Sequence, residues 1–543
     1  MIRLLARISV LLTLPLAISA CSKSQDSASQ APVVTSIEQS VVSVPSWVED
    51  NAAGSNPNAP AISTKLTLAK SELLNRTFLY GSSLQFSSLK DPTLGDTALM
   101  GLSIGETPAN FRIVDNTLQL LEDQSLSFES DVNHPARLIH AFKIVSQDDS
   151  SITILAAEAS PVLATALFDE KVAANRSSWI RSLQYIKEKN LLMWESSIES
   201  ADGSIGEFME TLVPRENIVP KDYKPLLADS ALEDLADRFR FLDAGKVYMD
   251  VAGKGRIQTA VAQRWNLGKD GVVQWWVTPN APDNLLPDIK NAVEAWNRYS
   301  QAMWGRDFIK FSGKLPANVK VGDPRYNTIV WDTVQDAGAA YESQGADPTT
   351  GIQTHSLIYM PYAWINIGKQ YWTQAEFSED DVNAKTAQVK SLLAARNFMG
   401  KKLPVNCVED PMMKLSLSAR LDPDAFARGL LKTTIFHEVG HSFGLAHNFK
   451  GSLSFDPDNA AKSMFSTSIM DYNEYNEEVA GAFTSLDGSG GPLLEYDRQI
   501  ISALYNDAKD IKDSDAVLPA CADAESDSLD GGVDPLCVLI PRM

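Results

Sequence analysis

The sequence predicts an α/β (α+β) fold, with a β-rich N-terminal region and a C-terminal unit in which strands and helices alternate. Residues 66–260 contain mainly short runs of β-prone residues separated by turn-forming residues. Further along, the residue patterns of Val272–Val277 and Asn327–Thr333 predict two strands. Between them, apolar residues recur at helical spacing over Leu285–Trp304 and predict a helix. A well-capped helix is then predicted to begin after Asp422.

Several short elements justify the β-rich assignment of the N-terminal region. Strands are predicted at Arg112–Leu121, Arg137–Ser146 and Ser151–Ala157, and the polar segment Gln147–Ser150 between the last two predicts a hairpin turn. A helix is predicted at Asp229–Phe239. We find no catalytic constellation in this region, so it is interpreted as an accessory domain.

The 543-residue chain is long enough for roughly two to four domains. We predict a lipoprotein signal peptide at 1–20, a disordered tether rich in Ser, Ala, Pro and Asn at 21–65, and the accessory domain at 66–260. The catalytic unit is predicted at 270–510, and an acidic tail at 511–543. The net charge of −21 disfavours binding to nucleic acids, whose phosphates require a basic surface.

The N-terminus predicts export from the cytoplasm. Arg3 and Arg7 lie at the start of an apolar run, Ile8–Ile18, that is too short to span a bilayer but suits a secretory signal. The run leads to Cys21 in a segment that resembles a bacterial lipobox, which implies lipidation of Cys21 and anchoring to a membrane. Ser22 implies the outer membrane of a Gram-negative bacterium, with a periplasmic or surface-exposed location. A plain signal peptide with a chance cysteine is the alternative.

Three further cysteines follow in the predicted mature chain. An exported compartment permits disulfides, and Cys521 and Cys537 bracket a short acidic loop that a bridge between them would close. Cys407 is then free, or competes for one of these two, so the pairing stays open. The spacing does not suit a cysteine-rich zinc site.

Three of the six histidines lie within the segment 437–447, which reads H-E-V-G-H-S-F-G-L-A-H. On a helix, His437 and His441 lie one turn apart on the same face and can bind a single ion. Gly444 permits a sharp left-handed exit from the helix, after which His447 can return as a third ligand. Three neutral histidines with an open fourth position are typical of a catalytic zinc site, and Glu438 is placed to act as general base. Buried structural histidines are the alternative.

This segment matches every fixed position of the extended zinc motif of the metzincin clan, and the chain resembles that clan. The clan also has a Met-turn beneath the metal, which the resemblance assigns to Met470 in S-I-M-D-Y. Tyr472 is then a fifth ligand or an oxyanion stabiliser by resemblance, or a core tyrosine. The residue after the third histidine is Asn448, which is not the residue that the well-described families have at this position. With its H-E-x-x-H-x-x-G-x-x-H-N and S-I-M-D-Y motifs, the chain resembles bacterial exported zinc-dependent metalloproteases.

The resemblance implies a twisted mixed sheet whose antiparallel edge strand holds an extended peptide beside the active-site helix. Gly351–Ile367 is the predicted edge strand, and His355 within it is interpreted as an ordinary strand histidine. Trp275 and Trp276 are predicted core residues.

The predicted activity is that of a zinc metalloendopeptidase acting on a protein or peptide substrate. The alternatives are a non-catalytic zinc lipoprotein that binds peptides or envelope partners, and a metallohydrolase for a non-protein amide. The sequence leaves open the cleavage specificity, endo- versus exopeptidase action and the oligomeric state.

Overall fold

The computed structural model describes most of the chain between residues 65 and 506. The described residues are 65–88, 101, 103, 106–123, 136–156, 176–200, 203, 205–227, 241–251, 255–268, 270–333, 340–374, 422–451, 466–471 and 493–506. The predictions made for the signal peptide with Cys21, the tether, the Asp229–Phe239 helix and the acidic tail lie outside the described residues. The same holds for Cys407, Cys521, Cys537 and Tyr472.

The N-terminal region forms a nine-stranded antiparallel sheet with the order β1-β6-β5-β4-β3-β2-β9-β8-β7. Its strands are β1 Lys65–Ala69, β2 Thr77–Ser88, β3 Thr107–Val114, β4 Thr117–Glu122, β5 Leu138–Gln147, β6 Ser151–Leu155, β7 Arg176–Ile186, β8 Leu191–Ser200 and β9 Ile205–Pro214. The short helix α1, Lys70–Leu73, follows β1. One face of the sheet buries an apolar core that includes Phe78, Phe142 and Trp194.

Two predictions about this sheet have different outcomes. The strand predicted at Arg112–Leu121 is wrong, because the chain reverses there and forms the β3–β4 hairpin. Asp115 occupies the turn with a φ of 51°, a left-handed conformation that Asp tolerates better than most residues. The turn between β5 and β6 is confirmed, and the Asp148 carboxylate accepts hydrogen bonds from the backbone N–H groups of Ser150 and Ser151.

A two-stranded hairpin connects this region to a second, five-stranded sheet. The hairpin consists of β10 Asp243–Val251 and β11 Gly255–Ala262. The second sheet has the order β13-β12-β14-β16-β15, in which the first four are mutually parallel and β15 is antiparallel. Its strands are β12 Val273–Val277, β13 Ile309–Lys314, β14 Asn327–Asp332, β15 Tyr341–Ala346 and β16 Gln353–Pro361.

Five helices accompany this sheet among the described residues. They are α2 Leu286–Glu294, α3 Asn297–Trp304, α4 Ala363–Gln374, α5 Pro423–Ser442 and α6 Glu495–Tyr505. The core between the sheet and the helices contains Trp275 and Trp331 from strands and Leu431 and Ile435 from α5. Trp275 is thus the core residue that the sequence predicts, whereas Trp276 is only partly buried. The overall architecture is therefore mixed α/β with a β-rich N-terminal region.

The predicted edge strand at Gly351–Ile367 is wrong in both position and extent. Strand β16 ends at Pro361 and lies between β14 and β15, so it is an inner strand. Its continuous buried run from His355 to Pro361 reflects burial on both faces, as inner parallel strands require. The antiparallel edge strand is β15, which precedes the turn at residues 347–350.

The helix predicted at Leu285–Trp304 is divided into α2 and α3. The chain bends at Ala295 and Trp296, whose side chains are buried in the core. Among the described residues, no helix combines the length and the apolar character needed to cross a membrane.

The nine-stranded sheet is joined to the five-stranded sheet by buried polar contacts. The Arg215 guanidinium donates to the Asp347 carboxylate at 2.5 Å, and the Asp347 side chain is fully buried. The Thr354 hydroxyl donates to Glu106 Oε1 at 2.7 Å, and His355 Nδ1 lies 3.4 Å from the same oxygen. These contacts place the N-terminal region against β16 and the turn between β15 and β16, and both of these strands contact α5.

Candidate metal centre

The helix α5 positions the first two histidines, and its start is fixed by local chemistry. Asp422 has an extended conformation and accepts a hydrogen bond from the Ala425 N–H at 2.7 Å, and Pro423 occupies the first helical position. The apolar side of α5, which includes Phe426 and Leu430, is buried against the sheet and neighbouring helices. The predicted cap is thus confirmed.

The exit from α5 depends on Gly444. This glycine has a φ of 91°, and a Cβ added to it would lie 2.1 Å from the backbone oxygen of Gln263. Its own carbonyl accepts a hydrogen bond from the Leu242 N–H at 2.7 Å. A side chain at this position would therefore meet both backbone strain and a backbone clash. Because glycine has no side chain, the chain can turn here and return His447 to the helix.

The structure brings His437, His441 and His447 together, as the sequence predicts. One potential ligand atom from each lies within 4.8 Å of the others. The ring centroids are 4.9 Å apart for His437 and His441, 4.7 Å for His441 and His447, and 5.3 Å for His437 and His447. Since each Zn–N bond is about 2.0–2.1 Å long, small side-chain adjustments are sufficient for one ion to meet all three rings.

Hydrogen bonds determine which nitrogen of each helical histidine can bind a metal. His437 Nδ1 is 2.7 Å from the backbone oxygen of Ile469, and His441 Nδ1 is 2.8 Å from that of Leu445. A carbonyl oxygen can only accept, so Nδ1 carries the proton in both rings. In the neutral imidazole this leaves the lone pair of Nε2 for the metal, in the arrangement that orients histidine ligands in metalloproteins.

The electrostatic environment of His441 favours its neutral form. Burial, together with the neighbouring rings of His447 and His437, lowers the pKa of His441 well below its usual value. Because a metal ligand must be deprotonated, this shift favours metal binding at neutral pH. The donor set of three imidazoles therefore fits a zinc ion with an open coordination position.

Glu438 is held beside the histidines by the edge strand. Burial raises its pKa to about 8, and a hydrogen bond from the Glu342 backbone N–H on β15 opposes this rise. A nearby divalent cation would lower the pKa, because it stabilises the charged carboxylate. The side chain is 7% exposed, so it can reach a bound molecule while it stays largely shielded from bulk water.

Met470, which the resemblance assigns to a Met-turn, packs against the helix of the zinc motif. It is fully buried in the core, and a Cβ added to Gly440 would lie only 2.7 Å from its sulfur. The Met470 carbonyl also accepts a hydrogen bond from the Asn448 N–H at 2.9 Å, which ties this turn to the residue after the third histidine. A soft, polarisable thioether therefore packs against the helix that carries His437 and His441.

The sequence alone did not indicate three residues that contact this centre. Glu342 supplies the N–H for Glu438, Gly440 provides room for Met470, and Asp497 on α6 binds the Met-turn backbone. Gly440 lies within the zinc motif and could have been noticed there, whereas Glu342 and Asp497 lack a local signal. His355 lies apart from the histidine cluster and interacts with Glu106, in keeping with its interpretation as a strand histidine.

Comparison with known proteins finds a match, which covers part of the chain. Residues 420–528 match the family model described as Met-zincin, and the matched segment includes the three histidines, Glu438 and Met470. The match and the histidine cluster together indicate zinc as the metal of this site, and His437, His441 and His447 are the residues that would hold it. The match indicates a zinc metallopeptidase. No curated protein and no solved structure matches the chain.

Proposed function

We propose that this protein is a zinc metalloendopeptidase in which Glu438 is the general base. The observation that carries the proposal is the position of Glu438 on α5, between His437 and His441 and against the edge strand β15. In a structural zinc site, four protein ligands fill the coordination sphere. Three histidines beside a buried carboxylate instead leave one coordination position for water or a substrate.

The residues around the metal have separate tasks in this reaction. When bound, zinc would act as a Lewis acid that polarises the scissile carbonyl group and makes water more acidic. Glu438 accepts the proton of the attacking water and delivers it to the leaving amine. The N–H of Glu342 orients the Glu438 carboxylate, and the carbonyl groups of Ile469 and Leu445 hold the rings of His437 and His441.

The substrate is an extended segment of a protein or peptide that pairs with the side of β15 facing away from β16, with which no described strand pairs. An antiparallel edge strand offers unpaired backbone groups for such β-augmentation. Glu342 lies in this strand and contacts Glu438, so a paired backbone would pass close to the general base. Since an edge strand binds the middle of a long chain as well as its end, the arrangement favours cleavage at internal bonds.

A mass-spectrometric digest tests this activity. We expect the purified chain to cleave an unstructured protein such as casein into fragments from internal bonds, to stop when a chelator removes the metal, and to recover when zinc is restored. Release of only single terminal residues would contradict endopeptidase action. Full zinc occupancy without cleavage of several unstructured proteins would favour the alternative, a zinc-containing envelope lipoprotein that binds peptides without turnover.

The proposed location is the outer membrane, by a lipid anchor on Cys21. It is supported by the two arginines, the apolar run and the Ser22 that surround this cysteine in the sequence. Labelling of cells with a radioactive fatty acid tests it. The wild-type chain should carry the label in the outer-membrane fraction, and Cys21→Ala should not. Equal labelling of both would contradict the assignment of Cys21.

A further inference from the structure

A buried carboxylate on the last helix holds the Met-turn from outside the zinc motif. Asp497 lies in α6 and is fully buried. Its Oδ1 accepts a hydrogen bond from the Ser468 hydroxyl at 2.7 Å, and its Oδ2 accepts one from the Ile469 N–H at 2.9 Å. Both donors belong to the turn that contains Met470, so both oxygens of Asp497 are directed at this turn.

The turn transmits this contact to a zinc ligand. The Ile469 N–H donates to Asp497, and the Ile469 carbonyl, which shares the next peptide unit with the Met470 N–H, accepts the Nδ1 proton of His437 at 2.7 Å. The Ser468 hydroxyl, besides donating to Asp497, accepts a hydrogen bond from the Met470 N–H at 3.0 Å. A continuous series of hydrogen bonds therefore extends from α6 through the turn to the ring of His437.

The energetic cost of this arrangement indicates that it has a specific role. Removing a carboxylate from water is unfavourable unless hydrogen bonds compensate for the loss of solvation. Ser468 and Ile469 provide this compensation in the observed conformation of the turn, and the same conformation presents the Ile469 carbonyl to His437. A second contact, from the Tyr496 N–H to the Thr467 carbonyl at 3.0 Å, fixes the start of α6 on the same turn.

We propose that Asp497 is a positioning residue of the zinc centre, which orients His437 through the backbone of Ser468 and Ile469. In metalloproteins, groups that hold a ligand in this indirect way affect metal affinity by about 10–100-fold. The proposal depends on the histidine zinc site and is independent of whether the protein cleaves peptides, so its test measures the metal itself.

The test compares zinc affinity in the full chain and in Asp497→Asn. The amide of the variant keeps the shape of the side chain but offers one acceptor where two donors converge, so the turn loses one hydrogen bond. We expect the zinc dissociation constant, measured by competition with a chelator of known affinity, to rise about 10–100-fold. The visible absorption of the cobalt-substituted protein should shift, because the ring of His437 changes its orientation.

Gln499→Met is the matched control. Gln499 lies in the same helix, is 2% exposed, and donates to Glu495 within α6 at 2.9 Å. We expect its loss to lower thermal stability while zinc affinity and the cobalt spectrum stay at wild-type values. Zinc binding by Asp497→Asn within about twofold of wild type, with an unchanged cobalt spectrum, would overturn the proposal, since outer contacts of this kind normally change affinity by at least about tenfold.

Ser468→Ala covers the case in which Asp497→Asn does not fold. This variant removes one donor to Asp497 and the acceptor for the Met470 N–H, and it leaves the carboxylate bound to Ile469. We expect weaker zinc binding than in wild type and a shifted cobalt spectrum. An affinity and a spectrum identical to wild type would contradict the proposal.

Discussion

His437 and His441 each donate from Nδ1 to a backbone carbonyl, and this detail determines how the centre can bind zinc. The acceptor carbonyls belong to Ile469 and Leu445, which lie outside the helix that carries the histidines. Ligand orientation therefore depends on the Met-turn and on the chain after Gly444, and substitutions there should affect the metal without touching a ligand.

Gly440 offers a direct test of packing beneath the metal. A Cβ at this position would lie 2.7 Å from Met470 Sδ and 2.9 Å from Trp296 Cζ2, both in the buried core. We expect Gly440→Ala to lower the free energy of unfolding by about 1–3 kcal/mol through overpacking. Helix propensity alone predicts the opposite sign, by about 1 kcal/mol. A variant more stable than wild type in denaturant titrations would show that the contact is not tight.

Asp497 also makes stability depend on pH. Burial raises its pKa to about 7, opposed by its hydrogen bonds to Ile469 and Ser468, whereas an aspartate in the unfolded chain has a pKa of about 3.9. Between these values the native state binds more protons than the unfolded state, so this group makes the free energy of unfolding fall as pH rises.

Asp497→Asn removes this contribution. In metal-free protein, we expect the stability of wild type relative to the variant to decrease from about pH 4 to about pH 7, at up to about 1.4 kcal/mol per pH unit. Denaturant titrations at several pH values measure the difference. A constant difference across this range would contradict the assignment of a raised pKa to Asp497.

Among the elements, the turn after α5 is the one on which the third ligand depends. Gly444 and Gly268 both have positive φ, at 91° and 51°, but only Gly444 would clash when a Cβ is added. Left-handed strain alone costs about 1–2 kcal/mol in each alanine variant. We therefore expect Gly268→Ala to lose a little stability and keep its zinc, whereas Gly444→Ala loses zinc affinity because His447 is displaced. Equal zinc affinity in both variants, measured by chelator competition, would argue against this role of Gly444.

Local signals made some elements predictable from the sequence. The Asp422 cap, the spacing of His437 and His441, and the left-handed Gly444 each depend on neighbouring residues, and the structure contains them. Contacts between distant segments were not predictable. Asp497 meets Ile469 from 28 residues further along the chain, and no local pattern indicates this contact.

The order of strands was the other property that local patterns did not reveal. Strand β15 reads Y-E-S-Q-G-A, without the apolar alternation that signals a strand, so the edge was assigned to the more apolar β16. The observed order transfers the proposed substrate contact to β15 and brings Glu342 to Glu438, the proposed general base. The correction thus changed the expected substrate-binding strand and left the zinc ligands unchanged.

Across the whole molecule, the N-terminal sheet supports the strands beside the metal centre. The ion pair of Arg215 with the fully buried Asp347 links the short 3-10 helix after β9 to the turn between β15 and β16. Asp347 also accepts hydrogen bonds from Thr349 and Thr350, which shape that turn. The β-rich region is therefore packed against the strand to which we assign substrate binding.

Arg215→Ala tests the strength of this connection. Removing one partner of a buried pair leaves an uncompensated charge, so we expect a loss of about 2–4 kcal/mol in the free energy of unfolding, near the lower end of the range for buried pairs because Arg215 is partly exposed. Arg76→Ala is the control, since Arg76 and Glu216 form an exposed pair at 3.2 Å that should contribute at most about 1 kcal/mol. If thermal and denaturant unfolding gave the same loss of stability for Arg215→Ala as for Arg76→Ala, the buried pair of Arg215 would contribute no more than the exposed pair, which would contradict this expectation.

In the proposed hydrolysis, zinc at the three histidines acts together with Glu438, and Glu438→Gln separates these two contributions. The variant keeps the size of the side chain but cannot accept the proton of water, so kcat on an unstructured protein should fall by about 10²–10⁴-fold. The zinc content, measured on the same samples by elemental mass spectrometry, should stay at one ion per chain, because His437, His441 and His447 remain. Equal rates of cleavage by the fully zinc-loaded wild type and variant would contradict the account.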